Sequence, residues 1–259
     1  MTPRRPLLAA AALLPATARA DAAVAAAIAP SGTLRAAINF GNPVLAQRGP
    51  DGAPRGVSAV LAAEVARRLG LPLRHVPFDA AGRVTEAGAR GEWDLCFLAV
   101  DPQRAQGILF TAPYVVIEGA YMVRQDSPIT RNEEVDRPGV RVAVGRGSAY
   151  DLFLTRELRH ATIIRAPTSP ASVAQFMAEG LEVAANVRQP LVAHAAANPG
   201  LRVLPGRFMA IEQAVGIPGG REAALPWLRA FVEEAKASGL VARALAESGQ
   251  ADAAVAPPG

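Results

Sequence analysis

One lysine, one cysteine and three histidines in 259 residues exclude several kinds of chemistry before any motif is sought. Cys96 is alone, so no internal disulfide can form. It lies in the apolar run Leu95-Cys96-Phe97-Leu98-Ala99-Val100 and reads as a small buried hydrophobe. His75, His160 and His194 are scattered and supply no metal-ligand set. Lys236, the single lysine, falls in a helical stretch, so a P-loop lysine is missing, as are the G-x-S-x-G, S-x-x-K and H-E-x-x-H patterns. Neither a metal nor any other cofactor is expected. Aromatic residues make up only 5%, and the +4 formal charge is not a patch, because Arg4, Arg5 and Arg19 precede every acid in the chain. Beyond residue 20, 24 basic side chains face 23 acidic ones, which leaves no electrostatic footprint for nucleic acid. No apolar run approaches the ~20 residues of a membrane span. With 51% hydrophobic and 19% charged residues, global disorder is excluded as well.

The first twenty residues have the form of an address. Arg4 and Arg5 precede the apolar run Leu7 to Leu14, Pro15 breaks it, and Ala18-Arg19-Ala20 has the small-x-small pattern of a cleavage site. Residues 1–20 are therefore expected to be a signal peptide cut after Ala20, with Sec and twin-arginine export both compatible. The product is expected in the periplasm.

The remainder alternates between strand and helix. Leu34 to Asn39, Leu73 to Phe78 and Leu95 to Val100 read as strands, with helices from Ser58 to a stop at Gly70 and from Arg83 to Arg90. The continuous apolarity of Leu95 to Val100 suits a strand buried on both faces of a parallel sheet. The alternation restarts near residue 119, with strands at Gly119 to Arg124, Val140 to Val144, Thr162 to Arg165, Val183 to Asn186, Leu201 to Leu204 and Ala214 to Pro218. Helices are expected at Ala149 to Leu158, after an N-cap at Ser169, at Arg221 to Ala237 and at Leu240 to Glu247. This order implies an α/β fold of helices covering mostly parallel sheets. The Ala/Pro-rich stretch 251–259 reads as a disordered tail.

Two strand ends hold the candidate binding chemistry. Gly145-Arg146-Gly147-Ser148 leads from a strand into a helix, where backbone N–H groups and the helix dipole suit an anion, although Ser148 also fits a plain N-cap. The third glycine of a dinucleotide fingerprint is replaced there by Tyr150. Arg104 follows the buried strand by four residues, at the rim where open α/β sheets hold ligands, and a guanidinium can grip a carboxylate in bidentate fashion.

Six motifs stand in order along the chain: Gly32-Thr33-Leu34-Arg35, Asp51 to Val57, Arg83 to Leu95 ending in Gly91-Glu92-Trp93-Asp94-Leu95, Pro102-Gln103-Arg104, Phe110-Thr111-Ala112-Pro113-Tyr114 and Val140 to Ser148. Together they resemble family 3 of the bacterial extracellular solute-binding proteins, the periplasmic amino-acid-type receptors of ABC importers. It implies a type II periplasmic-binding-protein fold of two lobes joined by two crossovers. Lobe 1 would comprise 31–117 and 214–250, and lobe 2 would comprise 118–213. The lobes would close on a ligand by bending near Ile117 to Gly119 and Ala210 to Ala214. The implied partners are a small carboxylate ligand and an inner-membrane ABC permease, with the receptor a monomer. A cyclohexadienyl-dehydratase-like enzyme, with Glu118 or Asp151 as general acid, and a non-transport sensory receptor are the alternatives.

Departures from the family pattern define the expected pocket. Phe97 and Ala99 stand where amino-acid receptors usually place hydroxyl residues, and Arg188 stands at or beside the acid that accepts an α-amino group. A slip of register would place Gln189 there instead. The expected ligand contacts are therefore Arg104 and Arg188 for anions, Gly147 and Ser148 as donors, Asn39, Phe97, Ala99 and Gln189 on the wall, and Phe40 and Tyr150 as flat surfaces.

Overall fold

The computed structural model describes residues 16–259, with side-chain surroundings described from residue 21. The expected signal peptide, with Arg4-Arg5, Leu7 to Leu14 and cleavage after Ala20, lies outside the residues whose side chains are described. In chain order the elements begin with α1 (Ala16–Ile28), β1 (Leu34–Asn39), β2 (Gln47–Arg48), β3 (Pro54–Arg55), α2 (Val57–Leu69), β4 (Leu73–Phe78), α3 (Ala81–Ala89) and β5 (Leu95–Ala99). A long strand β6 (Ile108–Arg124) leads to β7 (Arg141–Gly145), α4 (Ala149–Glu157), β8 (Thr162–Ala166), α5 (Ser169–Ala178), β9 (Val183–Val187), α6 (Arg188–Ala197) and β10 (Leu201–Val203). The chain returns through β11 (Met209–Pro218) to α7 (Leu225–Ala237), α8 (Leu240–Glu247) and β12 (Ala254–Val255). No described helix is long and apolar enough to cross a membrane.

The main strands lie in the order β4-β1-β5-β11-β6-β9-β7-β8. At one end β4, β1 and β5 are parallel, and at the other β9, β7 and β8 are parallel. Between them β11 and β6 run antiparallel to each other and to their neighbours. These two strands carry the chain between two lobes, the expected alternation on either side of two crossovers. β6 is longer than expected, since the sequence reading began it at Gly119. Pro113, which reads as a breaker, is accommodated where the β6–β11 register shifts beside Ala214. Gly119 lies within the ladder, paired with Met209 and Val187. A Cβ there would meet Phe208 at 2.8 Å, and Phe208 stacks on Tyr121 with ring centroids 4.3 Å apart. The glycine thus admits a close aromatic neighbour.

Local chemistry explains most elements. In α2, Val57, Leu61, Val65 and Leu69 form the buried stripe, and Gly70 in the left-handed region ends the helix. β5 is buried at every position. Helices α1 and α6 are absent from the periodicity reading. Alanines surround α1 on every face, so it lacks polar contrast, and α6 follows β9 without a loop. Thr168, rather than Ser169, caps α5 by accepting from Ala171 N–H. The expectation of a disordered tail over 251–259 is corrected. β12 pairs with Val115 and Val116 of β6, Ala253 and Ala256 are buried, and Lys236 Nζ donates to the Pro257 carbonyl at 2.8 Å. That stretch of β6 has a free edge on the side away from β11, and the tail satisfies its backbone groups.

A buried carboxylate fastens lobe 1. Asp94 is fully inaccessible and receives Arg35 Nε and Nη2 at 2.8 Å each and Arg221 Nη1 at 2.9 Å. Arg221 also donates to the carbonyl of Ile28, which ties the end of α1 to the sheet. Burial opposes ionisation of Asp94, but the hydrogen bonds from Arg35 and Arg221 outweigh it and hold the carboxyl below its ordinary 3.8. A lowered pKa stabilises the fold above the ordinary value, and that contribution is lost as pH falls through the folded value. Asp94→Ala, which leaves two guanidinium groups short of a partner, should cost about 3 kcal/mol in urea unfolding at neutral pH. The wild type should lose stability below about pH 4 with a steeper limb than Asp94→Asn. Equal acid limbs for the two proteins would show that Asp94 does not carry this dependence.

Candidate functional site

The C-terminal end of β5 delivers the central group. After Ala99 the chain turns, and Arg104 opens a short 3-10 turn that folds its side chain back under the sheet. The residue is 2% exposed. Its Nη1 donates to the Ala99 carbonyl at 2.9 Å and its Nη2 to the Gly147 carbonyl of lobe 2, also at 2.9 Å. Nε is buried and has no partner among the described residues. Burial pushes the guanidinium down to about 10, and the nearby Asp101 carboxylate partly restores it. The group remains a cation at neutral pH. Asp101 is itself buried and ion-paired to Arg156 of α4 at 2.9 Å, a second contact between the lobes.

Arg104 borders a narrow cavity of about 30 Å³ between the lobes. Lobe 1 contributes Asn39, Gly41 and Asn42 after β1, Ala81 of α3, and Leu98 and Ala99 of β5, while Gln213 of β11 lies on the strand that passes between the lobes. Lobe 2 contributes Ser148, Ala149, Tyr150 and Ser169. Ser148 caps α4 by accepting from Asp151 N–H at 3.0 Å. The Tyr150 hydroxyl donates to Ser169 Oγ at 2.6 Å, which Ser169 can accept because Thr168 does the capping of α5. Gln213 lies at the register shift of β11, where a bulge turns a strand residue towards a site. No acidic side chain lines this cavity among the described residues.

The structure brings Arg104, Asn39, Ala99, Ser148 and Tyr150 together and places the other expected contacts elsewhere. Arg188 is the first residue of α6 and lies outside the cavity, with Nε 2.6 Å from Glu118 Oε2 and Nη2 donating to the Gly206 carbonyl. Glu118 also receives Arg207, so this cation is neutralised in place. Gln189 has a buried Oε1 with no partner but does not line the cavity. Phe97 packs edge-on against Tyr114 in the core, with centroids 6.2 Å apart. Phe40 is covered by Arg48, whose guanidinium carbon stands 4.1 Å from the ring centroid.

The expected donors of the Gly145 to Ser148 turn are already used. Arg146 N–H bonds Ala166, Gly147 N–H bonds Asp151 Oδ2 at 2.8 Å, and Ser148 N–H bonds Gly145. Gly147 therefore meets Arg104 through its carbonyl. The donors left open are the N–H groups of Ala149 and Tyr150 at the start of α4, which have no acceptor among the described residues. Asn42, Gln213 and Ser169 are site residues that sequence reasoning missed. Ser169 alone had a signal, since it follows a parallel strand as Ser148 does.

The family model "Bacterial extracellular solute-binding proteins, family 3" matches residues 34–249. A search of curated proteins finds no match. Among solved structures, a mutant of ArgBP from T. maritima superposes with a TM-score of 0.74 at 19% identity, covering 87% of this chain and 99% of its own. A solute receptor for L-cysteine of Neisseria gonorrhoeae gives 0.75 at 21%, covering 86% and 92%. The ancestral amino acid-binding protein AncCDT-1, a precursor of cyclohexadienyl dehydratase, gives 0.71 at 20%, covering 85% and 96%. The fold is that of the type II periplasmic binding proteins.

All three tyrosines are buried, and burial raises each hydroxyl pKa, that of Tyr150 to about 12. In a spectrophotometric titration, tyrosinate absorbance should stay flat to about pH 11, where an unperturbed tyrosine is largely ionised. A step near pH 10 in the folded protein would contradict the enclosure of these rings.

Proposed function

The chain belongs to family 3 of the bacterial extracellular solute-binding proteins, and we propose that it captures a small carboxylate between its lobes for an ABC permease in the inner membrane. The observation that carries this reading is the state of Arg104. A cation removed from water needs a counter-charge or full hydrogen bonding. Arg104 has two carbonyls and an unpartnered Nε. A carboxylate supplies both the missing charge and the missing acceptors, in the strong bidentate form. The open N–H groups at the start of α4 reinforce an anion on the lobe-2 side.

The ligand has no ammonium group in this reading. With no acidic side chain lining the cavity among the described residues, an α-ammonium would be enclosed beside a guanidinium without a counter-charge. The L-cysteine receptor and the arginine-bound ArgBP among the structural neighbours share the fold at about a fifth sequence identity. We assign lobe 1 to 31–117 and 214–250 and lobe 2 to 118–213, with bending in β6 and β11 where the strands pass between them. The protein works as a monomer in the periplasm after removal of residues 1–20. A dehydratase-like enzyme would need a free general acid. Glu118 is held by Arg188 and Arg207, and Asp151 by Arg165 and the Gly147 N–H, which speaks for a receptor.

A thermal-shift screen of organic acids and the twenty amino acids tests the reading. A ligand at one hundred times its Kd stabilises by about 2.7 kcal/mol. Arg104→Met, close in length and uncharged, should fold and lose at least a hundredfold in affinity for any carboxylate that binds the wild type. Undiminished binding by Arg104→Met, or micromolar binding of a neutral or basic amino acid, would reject it.

A further inference from the structure

We infer that this cleft is built for a carboxylate of no more than three carbons, and that the glycine pair Gly82 and Gly147 sets the limit. The inference rests on the Arg104 reading above and adds size to it. The cavity of about 30 Å³ has room for roughly two water molecules. Even a bare carboxylate exceeds that space, so a ligand must part the lobes slightly and each further heavy atom must part them more, which favours the smallest acids.

The cavity cannot grow unless the lobes part, because three contacts span its edge. Arg104 reaches the Gly147 carbonyl, and Arg156 reaches Asp101, each at 2.9 Å. The third is backbone against backbone. A Cβ on Gly82 would stand 3.0 Å from the Arg146 oxygen and 3.2 Å from Gly147 Cα, and a Cβ on Gly147 would stand 2.7 Å from Gly82 Cα. Main-chain atoms cannot swing aside as a side chain can, so Gly147 must be glycine at this separation, and a Cβ on Gly82 would push the two main chains apart by a few tenths of an ångström. Gly147 also has a φ of 68°, in the left-handed region.

Beyond the glycine pair lies a separate space of about 250 Å³ bordered by Arg83, Glu86, Arg146 and Arg165. A longer acid could reach those arginines only by forcing the pair apart. Within the small cavity the remaining polar side chains are neutral: the carboxamides of Asn39, Asn42 and Gln213, and the hydroxyls of Ser148, Tyr150 and Ser169. Such groups match a hydroxyl or oxo oxygen on the carbon next to the carboxylate.

Calorimetry with acetate, glycolate, pyruvate, succinate, glutarate and alanine tests the proposal. Glycolate or pyruvate should bind the wild type at least tenfold more tightly than succinate or glutarate, and alanine should not bind. Gly82→Ala should weaken the two- and three-carbon acids several-fold, and Gly82→Val should do so tenfold or more while narrowing their advantage over succinate. Gly82 lies in the first turn of α3 at an ordinary negative φ, so alanine there favours the helix, and the melting temperature should hold or rise. That separates loss of fit from loss of fold. A wild type that prefers succinate or glutarate, with the preference abolished in Arg104→Met, overturns the size limit and leaves the carboxylate reading standing. Binding of none of these acids nor any larger carboxylate overturns both. An unchanged acid ratio in Gly82→Val overturns the role of the glycines.

Discussion

The structure turns on a guanidinium placed where water cannot reach it. Arg104 is held by one carbonyl from each lobe, and its charge is sustained by Asp101, which is itself tied across the cleft to Arg156. The arrangement is unsatisfied electrostatically, because carbonyl dipoles and a carboxylate that makes no hydrogen bond to the guanidinium do not replace the hydration of a cation. It is also tightly confined. The same residues that leave the charge short of a partner bring the lobes into backbone contact at Gly82 and Gly147. In the proposed reading, charge and space therefore act on a ligand together, the first favouring an anion and the second a small one.

This confinement depends on the two strands that pass between the lobes. β6 and β11 continue one hydrogen-bonded sheet from β4 to β8, so the lobes share a ladder. The irregular register of β11 beside Gln213 turns a polar side chain towards the cavity without interrupting the sheet. At the outer margin of lobe 1, Asp94 gathers Arg35 and Arg221 and fixes the sheet against α1. A rigid lobe gives Arg104 a fixed platform, and positioned charge discriminates better than mobile charge.

The arginines also divide by location. Arg188, expected to be a second anion contact, is neutralised by Glu118 on the neighbouring strand. Arg146 and Arg165 stand outside the glycine contact, in a separate space with Arg83 and Glu86. Only Arg104 enters the small cavity. Among the described residues, Arg104 is thus the one arginine lining this cavity, because the others near it meet carboxylates or solvent first.

Much of the fold was legible in the sequence. The alternation of apolar strands with amphipathic helices, Gly70 as a stop and the fully apolar Leu95 to Ala99 are local patterns, decided by side-chain periodicity and backbone preference within a few residues. Arg104 was legible for the same reason, since its place after a buried strand is a property of a short stretch. The other contacts were decided by tertiary structure. Which face Phe97 presents depends on the register of β5 against β11, and the partner of Arg188 lies 70 residues away on β6. The donors of the Gly145 to Ser148 turn are taken by Ala166 and Asp151, which no local rule selects. The tail pairs with β6 because that edge is free, a fact recorded in no residue of the tail. Sequence fixes short-range preferences, whereas burial, pairing and the few ångströms between Gly82 and Gly147 arise only when distant segments compete for the same space.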